Sequence, residues 1–191
     1  KPGFDFIAQA ASGLMHMTGS PGEPPGVVWS AIADNNAAVH GFAGLGYALF
    51  HRERTGQGQF LDLAMVDCIF HHHEIALQAW HLSDGDFVPH RMGQHHELVF
   101  PVGLFRGPDD WIAMLALDFQ WENVCRAMER IDWITDPRYA EMSDRAKRKD
   151  ELIPVIEEWM STFETNEALL NHLEEYRVPA SPVSYTHLRA H

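Results

Sequence analysis

The sequence predicts an α/β chain in two parts, a helix-rich unit followed by a small α+β unit, and three observations carry that prediction. After Asp34, apolar residues recur with helical spacing through "AIADNNAAVHGFAGLGYALF", residues 31–50. A stretch dense in turn formers, from Ser83-Asp84-Gly85-Asp86 to Pro89-His90-Arg91-Met92-Gly93, interrupts the chain near its middle. Beyond it, two short apolar runs joined by a turn precede three segments that each open on a capping residue.

Taken in order, the first element is a helix over about residues 35–52, with Gly41, Gly44 and Ala48 leaving one side bare enough for another backbone to approach. Thr55-Gly56-Gln57-Gly58-Gln59 ends it. Phe60 to Met65 reads as a short strand and Cys68 to Leu82 as a second helix. After the turn-rich segment, Val99 to Phe105 and Trp111 to Leu117 read as strands joined by Gly107-Pro108-Asp109-Asp110. Asp118 is placed to cap a helix to about Glu129, Ser143 one to about Thr162 and Thr165 one to about Tyr176. Pro154 predicts a kink or break in the middle one. The resulting division is 1–86 for the first unit, 87–97 for the linker and 98–183 for the second unit. Residues 184–191, "SYTHLRAH", continue no periodicity and resemble translated adapter sequence, so they read as a non-native tail.

With 191 residues, 46% hydrophobic and 21% charged, the chain is long and apolar enough for a real core. Fourteen Lys and Arg against 27 Asp and Glu give a net charge of −13, which repels a phosphate backbone and argues against nucleic acid as a partner. The dense basic run Arg145-Ala146-Lys147-Arg148-Lys149 is flanked by acids and reads as a solvated helix face. Cys68 and Cys125 lie among apolar neighbours without a CxxC partner, which predicts buried thiols of a reducing compartment. No uninterrupted apolar run approaches membrane-spanning length and no signal pattern opens the chain, so the expectation is a cytoplasmic location and no membrane partner. The missing initiator Met is expected of a chain that begins mid-protein.

Several constellations invite chemistry. His71-His72-His73-Glu74 and His95-His96-Glu97 suggest a metal, but a zinc helix needs His residues four apart on one face. Here Leu77 and Phe100 stand four beyond His73 and His96, so no metal is expected. Gly41-Phe42-Ala43-Gly44-Leu45-Gly46 lacks the spacing of a dinucleotide loop and lies inside the apolar helix. No GxSxG elbow occurs. Asp34 remains. A carboxylate at a helix start accepts backbone N–H bonds and sits at the positive end of the dipole, which keeps it ionised. It is then a cap or a nucleophile, and spacing alone favours the cap.

The order of "FDFIAQAASGLMHMTG", the proline-rich "SPGEPPG", "IAD" opening a small-residue helix and "ALFHRERTGQGQFLDLAMVD" resembles the family III CoA-transferases, of the formyl-CoA and carnitine CoA-transferase type. "FRGPDDWIAMLALDFQWENV", "DPRYAEMSDRAKRKDELIPVIEEWM" and "VPASPV" are similar to that family's small domain, and the likeness spans residues 2–183. It implies that the first unit is part of a Rossmann-like large domain, that the small α+β domain is inserted in it, and that two chains interlock as a homodimer. It implies Asp34 as nucleophile, so that cap and nucleophile are one residue. An aspartyl-CoA thioester would then carry CoA from an acyl-CoA to a free carboxylic acid, with coenzyme A as substrate and no further cofactor. Backbone N–H groups at Asn35 and Asn36 are geometrically plausible oxyanion donors. In formyl-CoA transferases a glycine-rich loop closes over the nucleophile, and the comparable region here is Arg91-Met92-Gly93-Gln94-His95-His96, with Met92, Gly93 and Gln94 nearest in kind. Trp29, Trp80 and Phe87 hint at an apolar acyl pocket, with core packing as the alternative.

Two rival readings stand beside this one. Acyl-CoA racemases of the same fold carry a His directly before an Asp, whereas Gly3-Phe4-Asp5 puts a phenyl ring there, which cannot carry a proton. A non-enzymatic, His-rich metal-binding module is the other, on the strength of 13 His. Taken alone, the chain is expected to be inactive, since the resemblance implies that most CoA contacts lie in an N-terminal sheet it does not contain.

Overall fold

A computed structural model of the chain describes residues 3–183. The tail assigned to residues 184–191 lies outside the described residues. Two compact units divide between Gly93 and Gln94, and each is described by itself.

The first unit is helical. Helix α1 (Asp5–Ser12) ends at Gly13, whose φ of +90° is a conformation glycine adopts without a Cβ penalty, and α2 (Leu14–Met17) starts from it. The long helix α3 (Ile32–Thr55) closes on Gly56, whose N–H donates to the Arg52 carbonyl at 2.8 Å. It starts three residues earlier than its apolar spacing indicates. Then come α4 (Met65–Phe70), a 3₁₀ turn over His71–His73 and α5 (Glu74–Leu82), three pieces where one helix was expected. The small core joins Ala8 of α1, Ala33 of α3 and Ile69 of α4, with Leu14, Ile32 and Met65 packed on it. Ala33 is fully buried, and its small side chain lets α1 and α4 close on the first turn of α3.

The strand expected over Phe60 to Met65 is not formed. Residues 57–64 carry no strand ladder, and Met65 already belongs to α4. The described part of this unit contains no strand to pair with, so the backbone groups lack a ladder partner there. Leu63 and Leu61 instead lie over Gly41 and Gly44, where an added Cβ would meet them at 3.3 and 3.7 Å. Those glycines therefore receive side chains from an extended segment and not a second helix backbone.

The second unit is α+β. Strands β1 (Val102–Arg106), β2 (Trp111–Leu115) and β3 (Ala180–Pro182) form an antiparallel sheet in that order, with Phe105 opposite Ile112 and Ala113 opposite Ser181. Strand β3 has no signal in the sequence, and Pro182 is tolerated because the strand is an edge. Helices α6 (Asp118–Ala127), α7 (Met142–Lys147), α8 (Lys149–Met160) and α9 (Asn166–Glu175) complete the unit around Phe100, Phe105, Ile112, Val124, Leu152, Ile156, Leu169 and Leu173. The break between α7 and α8 falls at Arg148, not at Pro154, which sits within α8.

The basic run is solvated at Lys147 and Arg148, as expected, but not at Arg145. Arg145 is 0% exposed, its Nε donating to the Phe100 carbonyl at 2.9 Å and its Nη1 to those of Tyr139 and Ala140 at 2.8 and 3.1 Å. Nη2 donates to Asp118 Oδ1 at 2.6 Å, and the guanidinium stacks 4.7 Å from the Trp121 ring centre. Asp118 thus serves Arg145 from the first residue of α6 and is not its N-cap, while Gln120 Oε1 accepts the Leu117 N–H at 3.2 Å. A planar cation with four acceptors and an aromatic face can be buried where a lone charge cannot.

Candidate active site

The site is built around the start of α3. The first N–H groups of a helix have no acceptor inside it, and Ala31, at the N-cap position, has no side-chain acceptor to offer. Asp5 supplies one from α1: its Oδ1 accepts the Ala33 N–H at 2.6 Å and the Asp34 N–H at 3.4 Å. Its Oδ2 accepts from Gln9 Nε2 at 2.7 Å, the two side chains being four apart on one helix face. Gln9 is 0% exposed and also grips Val28, donating to its carbonyl at 3.0 Å and accepting its N–H at 3.2 Å. Loop and helix start are both pinned to α1.

Asp34 is therefore not the cap. It is the third residue of α3, exposed, and among the described residues its carboxylate has no hydrogen bond or ion pair. It lines a groove of about 380 Å³ together with Phe4, Asp5, Phe6, Gln9 and Trp29. Both residues line this groove, but Asp5 accepts from three donors and Asp34 from none among the described residues, so the Asp34 carboxylate is the freer of the two for an electrophile.

The other predicted residues fall differently. Asn35 donates its backbone N–H to the Ala31 carbonyl at 2.8 Å. The Asn36 side chain donates to the Ile32 carbonyl and accepts from His72 Nε2, each at 2.8 Å. With Ala33 and Asp34 bonded to Asp5, the donors at this helix start are engaged, which removes the expected oxyanion role from the Asn35 backbone. Gly93, at φ +75°, donates to the Gly19 carbonyl at 3.0 Å, and Arg91 Nη1 donates to that of His16 at 3.0 Å. Met92 and Gly93 thus belong to a segment tied to the proline-rich loop, and neither lines the groove. Gln94 begins the second unit, where its carbonyl accepts the Leu104 N–H at 2.9 Å. Of the three aromatics, Trp29 alone lines the groove, 88% exposed and 6.3 Å from the Phe6 ring. Trp80 packs over Gly85 and Phe87 against His90.

The histidines are dispersed. His73 is buried with Nε2 2.8 Å from the Ser12 carbonyl oxygen and its ring edge-on to Phe70, while His71 meets His40 edge-on. No group of three His, Cys, Asp or Glu suited to a metal occurs among the described residues. Both cysteines are free and buried. Burial pushes the Cys125 thiol up to about 12, and burial, then the Asp67 charge, raises that of Cys68, so neither is a ready nucleophile. No helix of the described residues is long and apolar enough to cross a membrane.

The family model for CoA-transferase family III matches residues 1–188, and the chain belongs to that family. It is 38% identical over 187 residues to succinyl-CoA:mesaconate CoA-transferase of Haloarcula hispanica, covering 97% of this chain and 46% of that protein. To formyl-CoA:oxalate CoA-transferase of Escherichia coli O157:H7 it is 30% identical over 201 residues, covering 94% and 48%. The chain spans about half the length of the curated relatives it matches. Among solved structures, a CaiB/BaiF family protein from Brucella suis superposes with a TM-score of 0.78 at 26% identity, covering 98% of this chain and 49% of that one. A hypothetical protein from Mycobacterium tuberculosis shares the fold at a TM-score of 0.81 and 22% identity, covering 100% and 50%.

The residues that sequence reasoning missed are Asp5 as cap and Gln9 as its anchor. Their signal is the Asp-x-x-x-Gln spacing of "DFIAQ", which places both side chains on one helix face. Their destination, 28 residues along the chain at Ala33, carries no local signal.

Proposed function

We propose that the protein transfers CoA from an acyl-CoA to a free carboxylic acid, with Asp34 as the nucleophile. The observation that supports this most is a carboxylate with no partner among the described residues, in a groove at a helix start whose capping is done by a second carboxylate. The Asp34 carboxylate attacks the thioester carbonyl, expelling CoA thiolate and leaving a mixed anhydride. The thiolate attacks the aspartyl carbonyl of that anhydride, releasing the donor acid as a carboxylate and forming an aspartyl-CoA thioester. An acceptor carboxylate then attacks this thioester, CoA thiolate leaves again, and its attack on the acyl carbonyl yields the new acyl-CoA and frees Asp34. No proton is gained or lost over the cycle, so no general base is needed.

Phe4 lines the same groove directly before Asp5, and a phenyl group does not shuttle protons, which speaks against racemisation. Succinyl-CoA with mesaconate and formyl-CoA with oxalate, the pairs in the relatives' names, are the first substrates to offer. The full-length protein is proposed to act as a homodimer, in keeping with the many apolar side chains that α3 leaves exposed, Val39, Phe42, Tyr47 and Phe50 among them.

The experiment is to incubate the full-length protein with acyl-CoA and hydroxylamine. A hydroxamate on the peptide carrying Asp34 is expected, and none with Asp34→Asn, which should also fail to turn over. Transferase activity retained by Asp34→Asn sinks the reading, as does rapid deuterium uptake at the α-carbon without an acceptor acid.

A further inference from the structure

We infer that Asp5 is the positioning residue for Asp34, capping α3 from outside the helix and thereby fixing the carboxylate that attacks the thioester. This rests on the reading of Asp34 as nucleophile, and it adds a residue whose role neither the family match nor the relatives' names specify.

A nucleophile on the third residue of a helix is only as well placed as that helix's first turn, which is where helices fray. Here the usual remedy is missing, because Ala31 has no side-chain acceptor. Asp5 replaces it across 28 residues of chain, and its shortest bond, 2.6 Å, goes to Ala33, the residue immediately before Asp34. Asp5 is held in turn. Gln9 donates to its second oxygen at 2.7 Å, and the fully buried Gln9 amide is locked by both of its bonds to Val28. The polar atoms that link Val28 through Gln9 and Asp5 to Ala33 thus each have a partner. Flipping the Gln9 amide would break both Val28 bonds and set its carbonyl oxygen against Asp5. The network is a rigid reference for the Asp34 backbone. Asp5 itself cannot compete as nucleophile without giving up these donors.

Such a residue acts on the rate of attack more than on substrate binding, since a shift of about 1 Å in a reacting group can cost about 100-fold. The test follows the Asp34 adduct in the full-length protein in a single turnover, using succinyl-CoA or formyl-CoA, whichever the wild type accepts, with detection by peptide mass. For Asp5→Ala the rate constant of adduct formation is expected to fall about 30-fold or more, with KM for acyl-CoA within about two-fold. Asp5→Asn keeps an oxygen acceptor for Ala33 but turns its Nδ2 toward Gln9 Nε2, donor against donor, and its rate constant is expected to fall between those of wild type and Asp5→Ala. A merely structural role gives a different pattern: the amplitude falls with the fraction folded while the rate constant holds, and that pattern overturns the inference. Should Asp5→Ala not fold, Asp5→Glu decides. It keeps the charge but displaces the acceptor by one methylene, and an unchanged rate constant there overturns the inference equally. Failure of the underlying reading is distinct, because then the wild type forms no adduct on Asp34 at all.

Discussion

Two carboxylates share one groove, and what each one holds divides their roles. Asp5 accepts from Ala33, Asp34 and Gln9, whereas Asp34 accepts from nothing described, so their replacement should separate stability from catalysis. Asp5→Ala is expected to cost about 1–2 kcal/mol, the range for a lost helix cap, and Asp34→Asn no more than about 0.5 kcal/mol. Urea midpoints of the full-length variants check this, and the opposite order would return the cap to Asp34. In the second unit, Arg145 is the corresponding single point of weakness. Arg145→Ala leaves three carbonyls and Asp118 without their donor and is expected to cost about 3–5 kcal/mol. Arg145→Lys should recover only part of this, because an ammonium cannot reproduce the planar fork and the stacking on Trp121.

Helix α9 and the β1–β2 hairpin are clipped together at one end. Asp109 N–H donates to Asn166 Oδ1 at 3.2 Å and the Asn166 N–H returns to Asp109 Oδ2 at 2.8 Å, while Thr165 caps the helix through the Ala168 N–H at 3.1 Å. Thr165→Ala is expected to destabilise the unit by about 1 kcal/mol, read as a shifted urea midpoint. The segment joining Gln94 to β1 holds a pH-sensitive pair. Burial lowers His95 below the ordinary histidine value, with Glu157 and Asp150 opposing and Lys149 adding, and burial lowers His96 as well. His95 packs edge-on to Phe105 at 4.8 Å, and its buried Nδ1 has no hydrogen-bond partner among the described residues, so a protonated ring is poorly accommodated. The unfolded chain then binds protons more readily than the folded one. Stability is fully present above the ordinary histidine value and is lost as pH falls from about 6.5 toward the depressed folded values. Asp132, Asp136 and Asp144, lowered chiefly by bonds to Arg130, Arg138 and Lys147, act in the same direction only in a more acid window. Urea midpoints at pH 7.5 and 5.5 should differ in the wild type and differ less in a His95→Gln, His96→Gln double variant.

At the scale of the whole molecule, the two units are unequally self-sufficient. The second has a broad core around its sheet, but α3, 24 residues long, buries only Ala33. Trp29, Phe42, Tyr47, Phe50 and Phe60 stand exposed in the first unit, far beyond what a surface in water favours. The chain produced alone is therefore expected to bind a hydrophobic dye, to self-associate with rising concentration and to show no transferase activity. The full-length protein should bind little dye and be active. Dye fluorescence and light scattering on both make the comparison.

Some of this was written in the residues. The existence and order of α3, the β1–β2 hairpin and α9 follow from periodicity, turn formers and Thr165, because each depends on neighbours a few positions away. The proposal of Asp34 as nucleophile comes from the resemblance carried by the order of several motifs, since spacing alone favours a cap. What required the tertiary structure was every decision made across long separations. Asp5 took the capping of α3 from 28 residues away. Arg145 left an apparent solvated run for the interior because Phe100, Tyr139, Ala140, Asp118 and Trp121 converge there. Phe60 to Ala64, read as a strand, stayed unladdered among the described residues, and Ala180–Pro182 became a strand by meeting β2 despite its proline. Local sequence sets what a segment can form. Partners brought close only by folding determine which backbone donors are satisfied, and at the start of α3 that leaves Asp34 free.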